Sequence, residues 1–406
     1  MTVNEYINKY LPLTLRESTS DSAPFFALPK PYNVPCVGGM FQEMYYWDTY
    51  FTNIGHLIDG NIEQAKNNVD CLIAMADRFG YVLNGNRVEF LNNSQPPFLS
   101  QAVREVYDVI GDKEWLLSAY RAIKKEYDFY TGPMGLEMGL SRYDMVTPVT
   151  AGQLRRGAEL MVERMGYRPD ISEYDLARGL YAVGASGWDV NPRMTYRAYE
   201  IIPPELNTLI YSIESNMAYF AAQLENGEEK KWKRLAERRA ALMRTWLKGE
   251  DDVFHDYDLG KKARTSVISA ACMYPLYFGM ATDREAESTV EALSRIEADW
   301  GIVACEKMSD VRGNFQWGYP NGWPPMQIIA VGGLLKYGYS EEAKRIARKF
   351  IQLIENEFVA TGHLWEKYDV VSGSSDALAE YETPAMLGWT YGAYRYLSKI
   401  IGKNDN

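Results

Sequence analysis

Apolar positions recur at helical spacing along much of the chain. In NIEQAKNNVDCLIAMADRFG, Ala65, Val69, Leu72, Ile73 and Met75 fall along one helical face, and Gly80 can close the helix. DKEWLLSAYRAIKKEYDFYTG repeats the pattern with Leu116, Ala119, Tyr120, Ile123 and Tyr127. PPELNTLIYSIESNMAYFAAQLENG does so through Leu206, Leu209, Ile210, Ile213, Met217 and Phe220. EEKKWKRLAERRAALMRTWLKG and YSEEAKRIARKFIQLIENEF open with acids and carry bases further on, the order that a helix dipole favours. No stretch alternates apolar and polar residues for long enough to make a substantial sheet.

Between the helices lie long segments, 33–50, 81–98, 184–200, 306–326 and 364–384, rich in Gly, Pro or Asn and mixing acids with aromatics. Loops of this length inside a compact helical domain are uncommon unless they build a site. No Ser/Gly/Pro tract divides the chain. The pattern therefore predicts one all-α domain over residues 1–406, an α/α toroid with its loops gathered at one end and residues 1–32 as an N-terminal extension packed on the barrel.

Composition narrows the chemistry. The chain has 406 residues, 47% hydrophobic and 24% charged, enough for a large core. Its net charge of −11 and the lack of any isolated block of Lys and Arg exclude a nucleic-acid surface. The 30 tyrosines and 10 tryptophans suit a sugar ligand, whose C–H faces stack on rings, although such rings also fill helical cores. Cys36, Cys71, Cys272 and Cys305 are scattered, with no CxxC pair, and read as free buried thiols of a reducing compartment. The opening MTVNEYINKYLPL lacks a basic and then apolar leader, and no apolar run is of membrane-spanning length. A cytoplasmic location is the expectation, with no membrane partner and the oligomeric state undetermined.

Three histidines, His56, His255 and His363, share no ligand-like spacing, and no phosphate-cradling or dinucleotide motif occurs. No metal or cofactor is called for; Asp256-Tyr257-Asp258 is a weak cation candidate whose acids more often cap loops. Carboxylates are the expected workers.

Six ordered segments carry a more specific signal. VGGMFQEMYYWDTY (37–50), LNGNRVEFLNNSQPPF (83–98), YRPD (167–170), ASGWD (185–189), QWGYPNGWPP (316–325) and EKYDV (366–370) follow one another along nearly the whole chain. Together they resemble the signatures of the trehalases, inverting glycoside hydrolases built on an (α/α)6 barrel. The resemblance implies Asp189 as general acid and Glu366 as general base, with Trp188 shielding the first and Tyr368-Asp369 bracing the second. Hydrolysis of a glycosidic bond asks for such a pair, one carboxyl protonating the leaving oxygen and one carboxylate activating water. It further implies Phe41, Tyr45, Trp47, Asp48, Asn84, Gln95, Arg168, Asp170, Trp317 and Glu380 as substrate contacts, with Trp323 and Trp389 as weaker ones. Glu43 divides evenly between a cap or arginine partner and a contact.

The chain departs from that pattern at several places. Val37 stands for a proline, Met40 and Asn93 for arginines, Asp170 for a glutamate and Gly318 for an aspartate. Methionine cannot replace the fork of donors that a guanidinium offers to a sugar. A retained mechanism with an altered leaving-group site follows, the substrate being trehalose or another small α-glucoside. Two alternatives stay open, a glucosylglycerate- or mannosylglycerate-type hydrolase and a non-catalytic sugar-binding relative. A purely structural helical scaffold explains the acid- and ring-laden loops least well.

Overall fold

The computed structural model describes residues 1–313 and 315–403. Its helices are α1 (Val3–Tyr10), α2 (Tyr46–Ile58), α3 (Ile62–Phe79), α4 (Leu99–Ile110), α5 (Lys113–Thr131), α6 (Ala151–Met165) and α7 (Glu173–Ala185). The second half adds α8 (Pro204–Gln223), α9 (Glu229–Trp246), α10 (Tyr274–Tyr277), α11 (Asp283–Ala292), α12 (Pro324–Lys336), α13 (Ser340–Thr361) and α14 (Gly388–Ile400). The strands of the described residues are two residues long and pair antiparallel within the loops, as in Asn321-Gly322 against Tyr368-Asp369.

Neighbour contacts close a ring through α2, α4, α8, α10, α12 and α14, with α14 returning to α2. An outer layer lies around it: α3 and α5 flank α4, while α9 and α13 pack on α8 and α12. Sequence explains the division. Helices α8 and α12 are buried almost all round, as inner elements must be, whereas α9 and α13 keep charged outer faces. Helix α1 joins the outside near α13 and α14, where the Tyr6 ring meets Phe358 edge-on at 5.3 Å and Arg395 donates to Asn4 at 2.7 Å. Thr2, Thr150 and Thr282 each form a reciprocal capping box, starting α1, α6 and α11.

The seam between α2 and α14 depends on two glycines. A side chain at Gly55 would stand 2.5 Å from the Tyr391 ring, and one at Gly392 would stand 1.9 Å from the carbonyl oxygen of Phe51. The approach is locked by Tyr391 donating to Asp59 at 2.9 Å and by Arg395 pairing with the same carboxylate at 2.9 Å.

Helices α6 and α7 belong to neither layer. They form a hairpin between α5 and α8, packed on each other where Gly157 faces Ala177. Capping starts both, through Thr150 and Ser172, and Gly166 in the left-handed region ends α6. This hairpin stands over one end of the ring.

One buried acid ties the first inner helix to the outer layer. Glu126 of α5 accepts a hydrogen bond from Tyr46 of α2 at 2.7 Å, and the Tyr46 oxygen in turn accepts from the backbone N–H of Leu99. Burial raises the Glu126 carboxyl from its ordinary 4.5 to about 8. Because the folded value lies above the unfolded one, the stabilisation is complete below pH 4.5 and is lost as pH rises through about 8. Glu126→Gln, which cannot ionise, is expected to remove that decline. Thermal unfolding of both proteins at pH 5 and pH 9 checks it; parallel pH dependence would rule the linkage out.

Candidate active site

The loops at one end of the ring enclose a cavity of about 520 Å³. Its floor is tryptophan. Trp317 and Trp323 stack in parallel with ring centres 3.7 Å apart, Trp389 stands edge-on to Trp323 at 5.7 Å, and Trp47 lies 5.5 Å from Trp317. All four line the cavity, so Trp323 and Trp389 stand beside Trp47 and Trp317 in the wall. Flat rings with buried edges offer a sugar its C–H contacts and exclude water.

The acids enter from three separate segments. Asp48 comes from the first turn of α2, Asp189 from the loop after α7, and Glu366 from the loop between α13 and α14. Gly187 explains the second placement. It sits at φ +70°, and a side chain there would strike Trp47 at 2.9 Å and Pro96 at 3.1 Å, so only glycine lets the acid loop descend onto the floor. Trp188 then packs beside Trp317, and Asn191 donates to the Trp188 carbonyl at 2.7 Å while accepting from the Met194 N–H at 2.9 Å.

The electrostatics of the three acids differ. Burial raises the Asp189 carboxyl pKa, although Arg164, 3.4 Å away, opposes the shift. Burial raises Asp48 well above the carboxylate range, with the charges of Glu366 and then Asp189 adding to it. Glu366 is braced: Lys367, itself fully buried, donates to Oε2 at 2.6 Å, and Tyr381 donates to Oε1 at 2.8 Å. The indole N–H of Trp389 holds the Glu366 backbone carbonyl at 2.8 Å. One carboxyl raised by burial and another held between a lysine and a tyrosine thus face the same cavity, the pairing that acid–base hydrolysis across one bond calls for.

Phe41 and Tyr45 form the rim. Phe41 adopts φ +55°, a left-handed conformation that costs about 1–2 kcal/mol for a side-chain-bearing residue, and its ring is held edge-on by Tyr45 and Tyr381. Asn84 and Gln95 come from the segment between α3 and α4; Gln95 accepts from the Trp47 N–H at 3.2 Å and Asn84 donates to the Ser94 carbonyl at 3.3 Å. Glu43 is an arginine partner: it accepts from Arg87, and from Tyr45 at 3.0 Å.

Several expectations need correction. Arg168 and Asp170 are exposed and do not line the cavity, because Gly166 ends α6 and turns the chain outward before them. The guanidiniums at the wall are those of Arg156 and Arg164, both on α6. Glu380 is also outside the lining; it lies beside Arg164, 3.6 Å from its Nε, and burial pushes its carboxyl up to about 8. Tyr368 and Asp369 do not brace Glu366: the Tyr368 oxygen accepts from the Trp365 N–H at 3.0 Å, and Asp369 caps the Val371 N–H at 2.8 Å. Lys367 and Tyr381 do so instead. Asp256 and Asp258 are spent on Arg193 and Arg197, and no cluster of metal-ligating side chains occurs among the described residues.

Sequence reasoning missed Arg156, Arg164 and Tyr381. Tyr381 directly follows Glu380 in a segment already marked as site-building. The arginines gave no such cue, since a charged residue on a helix ordinarily faces solvent.

The ring, its tryptophan floor and its paired carboxylates define an α/α-toroid glycoside hydrolase. The trehalase family profile matches residues 3–402, and the chain belongs to that family. Among its relatives, the periplasmic trehalase of Xanthomonas axonopodis pv. citri is 30% identical, the match covering 99% of this chain and 74% of that protein. The periplasmic trehalase of Pseudomonas aeruginosa is 31% identical over 92% of this chain and 72% of its own. Among solved structures, the neutral trehalase of Saccharomyces cerevisiae superposes with a TM-score of 0.77 at 29% identity, covering 93% of this chain and 74% of that one. A mannosylglycerate hydrolase of Thermus thermophilus shares the fold, with a TM-score of 0.67 at 16% identity over 97% of this chain and 99% of that one.

The names of these bacterial relatives place them in the periplasm, which overturns the cytoplasmic expectation. The thiols were a poor guide to compartment. All four cysteines are buried and unpaired, and burial pushes Cys71, Cys272 and Cys305 up to about 12, so they stay protonated and inert in either redox setting.

Proposed function

We propose that this glycoside hydrolase inverts the anomeric centre of trehalose or a closely related small α-glucoside. Asp189 gives its proton to the glycosidic oxygen as the C–O bond breaks, and Glu366 takes a proton from the water that attacks the anomeric carbon from the opposite face. Asp48 and the tryptophan floor hold the ring undergoing attack. The observation that carries the reading is the contrast within one cavity between a carboxyl raised by burial and a carboxylate braced by Lys367 and Tyr381.

Inversion has a definite signature with trehalose. The attacked ring is released as β-glucose and the leaving ring remains α-glucose, in equal amounts before mutarotation. Proton NMR in the first minutes is expected to show both anomers together. Release of α-glucose alone would mean retention, and absence of turnover across trehalose, other α-glucosides and glycerate glycosides would remove the hydrolytic reading of the site.

A second reading, an α-glycoside of a hydroxy acid, is favoured by one observation: Arg156 and Arg164 line the cavity where a glycerate carboxylate would want cations. Glucosylglycerate and mannosylglycerate in the same panel decide it.

A further inference from the structure

We infer that helix α6 is the leaving-group subsite, with Arg156 as the cation that meets the leaving group and Arg164 positioning the acid, since the loop residues lining the cavity include no arginine. The inference rests on the proposed roles of Asp189 and Glu366. A general acid must stand beside the leaving oxygen, so the wall beyond Asp189 is the wall that the leaving group meets. That wall is α6. Gln153, Arg156, Gly157, Leu160 and Arg164 all line the cavity, a spacing of three or four residues that makes one continuous helical stripe. The Arg156 guanidinium on that stripe supplies donors, Arg164 and Gln153 being engaged within the protein, and Leu160 supplies an apolar contact.

The positions marked as departures show why a helix has to do this. Met40 is 43% exposed and does not line the cavity, so that part of the first loop faces solvent. Asn93 does line it, but its side chain is packed close to α7, its Nδ2 standing 2.9 Å from where a Gly184 side chain would begin. At Gly318 a side chain would meet Pro192 of the acid loop at 3.1 Å. The loops on this side therefore offer little to grip with, and the guanidiniums come from another segment.

The two arginines have different tasks. Arg164 is committed within the protein, standing 3.4 Å from Asp189 and 3.6 Å from Glu380, and so positions the acid. Arg156 lies nearer the solvent, and no carboxylate among the described residues is within ion-pair distance of it. Its donors are available to a leaving group rich in acceptor oxygens, such as a second sugar ring.

The test compares a disaccharide with α-glucosyl fluoride, whose leaving atom is too small to reach α6 and departs without a proton. For Arg156→Gln, the ratio of kcat/KM on trehalose to that on the fluoride is expected to fall about 10- to 100-fold, the range for losing a charged hydrogen bond. Arg156→Lys is expected to restore part of that ratio. Calorimetry on a Glu366→Gln background gives a readout that needs no turnover: adding Arg156→Gln should weaken trehalose binding while leaving glucose binding in place. An unchanged ratio, or equal weakening of both ligands, would overturn the assignment of α6. Wild-type protein inert towards both substrates would instead strike the catalytic reading, and the calorimetric comparison would still decide on α6.

Discussion

Glu366→Gln is expected to lower kcat on trehalose by about 10²–10⁴-fold, the contribution of a positioned general base. The variant keeps the shape of the side chain but turns one acceptor oxygen into a donor and leaves the buried Lys367 without its counter-charge, so the unfolding midpoint is expected to fall, and kcat is compared at a temperature where both proteins are folded. Asp189→Asn is expected to lose a similar factor on trehalose. The two should part company on α-glucosyl fluoride. Fluoride leaves without being protonated, so Asp189→Asn should recover much of its activity there, while Glu366→Gln, which cannot activate water, should not. This crossed pattern tests the roles and not merely the importance of the residues. Equal losses on both substrates, or recovery by the wrong variant, would reverse or remove the assignment.

Arg193→Leu is expected to destabilise the fold by about 3–5 kcal/mol, the penalty for stranding buried charges. The Arg193 guanidinium is shared between Glu205 and Asp256, its side chain 1% exposed and theirs 0% and 3%. It also stacks over Trp188 at 4.4 Å, directly beneath the acid loop. Truncation leaves two carboxylates facing each other in the core. Burial already raises Asp256 to about 7, so once stranded Asp256 would take up a proton sooner than stay ionised. The triple change Arg193→Met, Glu205→Leu, Asp256→Leu should be much less harmful than the single one, because removing a whole buried network releases its desolvation penalty. Urea unfolding measures both. If the triple variant were the less stable, the network would be contributing net stability and the argument would fail. A fall in kcat for the triple variant at normal stability would show that the cluster also steadies Asp189 through Trp188.

Helices with one apolar stripe and one charged face announce themselves: α3, α5, α9 and α13 follow the spacing of Leu72, Ile123, Trp232 and Phe350 because their outer faces are wet. The hairpin helix α6 does not. Part of its inward face fronts a cavity instead of a core, so Arg156 and Arg164 occupy places where a packed helix would show apolar residues. Periodicity reads burial, and a functional face of this kind looks like solvent. For the same reason, local sequence cannot distinguish Arg164 from Arg168; the difference is made by Gly166 turning the chain between them. The acids Asp189 and Glu366 were legible only through the ordered motifs, since nothing within a few residues of either shows that the ring brings them to one cavity. The tryptophans were legible as residues and not as a floor, because their stacking needs two inner helices and the loop before α12 assembled.

The seam between α2 and α14 has a consequence for the life of the chain. Tyr391 and Arg395 reach back across more than 330 residues to Asp59, and Glu366 sits just ahead of the helix that makes this closure. A nascent chain still lacking its last helix already carries Asp48 and Asp189, yet has no closed ring and a Glu366 without the Trp389 that holds its backbone. The contacts that complete the structure are therefore formed late, and loop-closure entropy must be met before they repay it. Ring closure and the anchoring of Glu366 thus come from the same last helix, so a chain that ends before α14 is expected to be inactive.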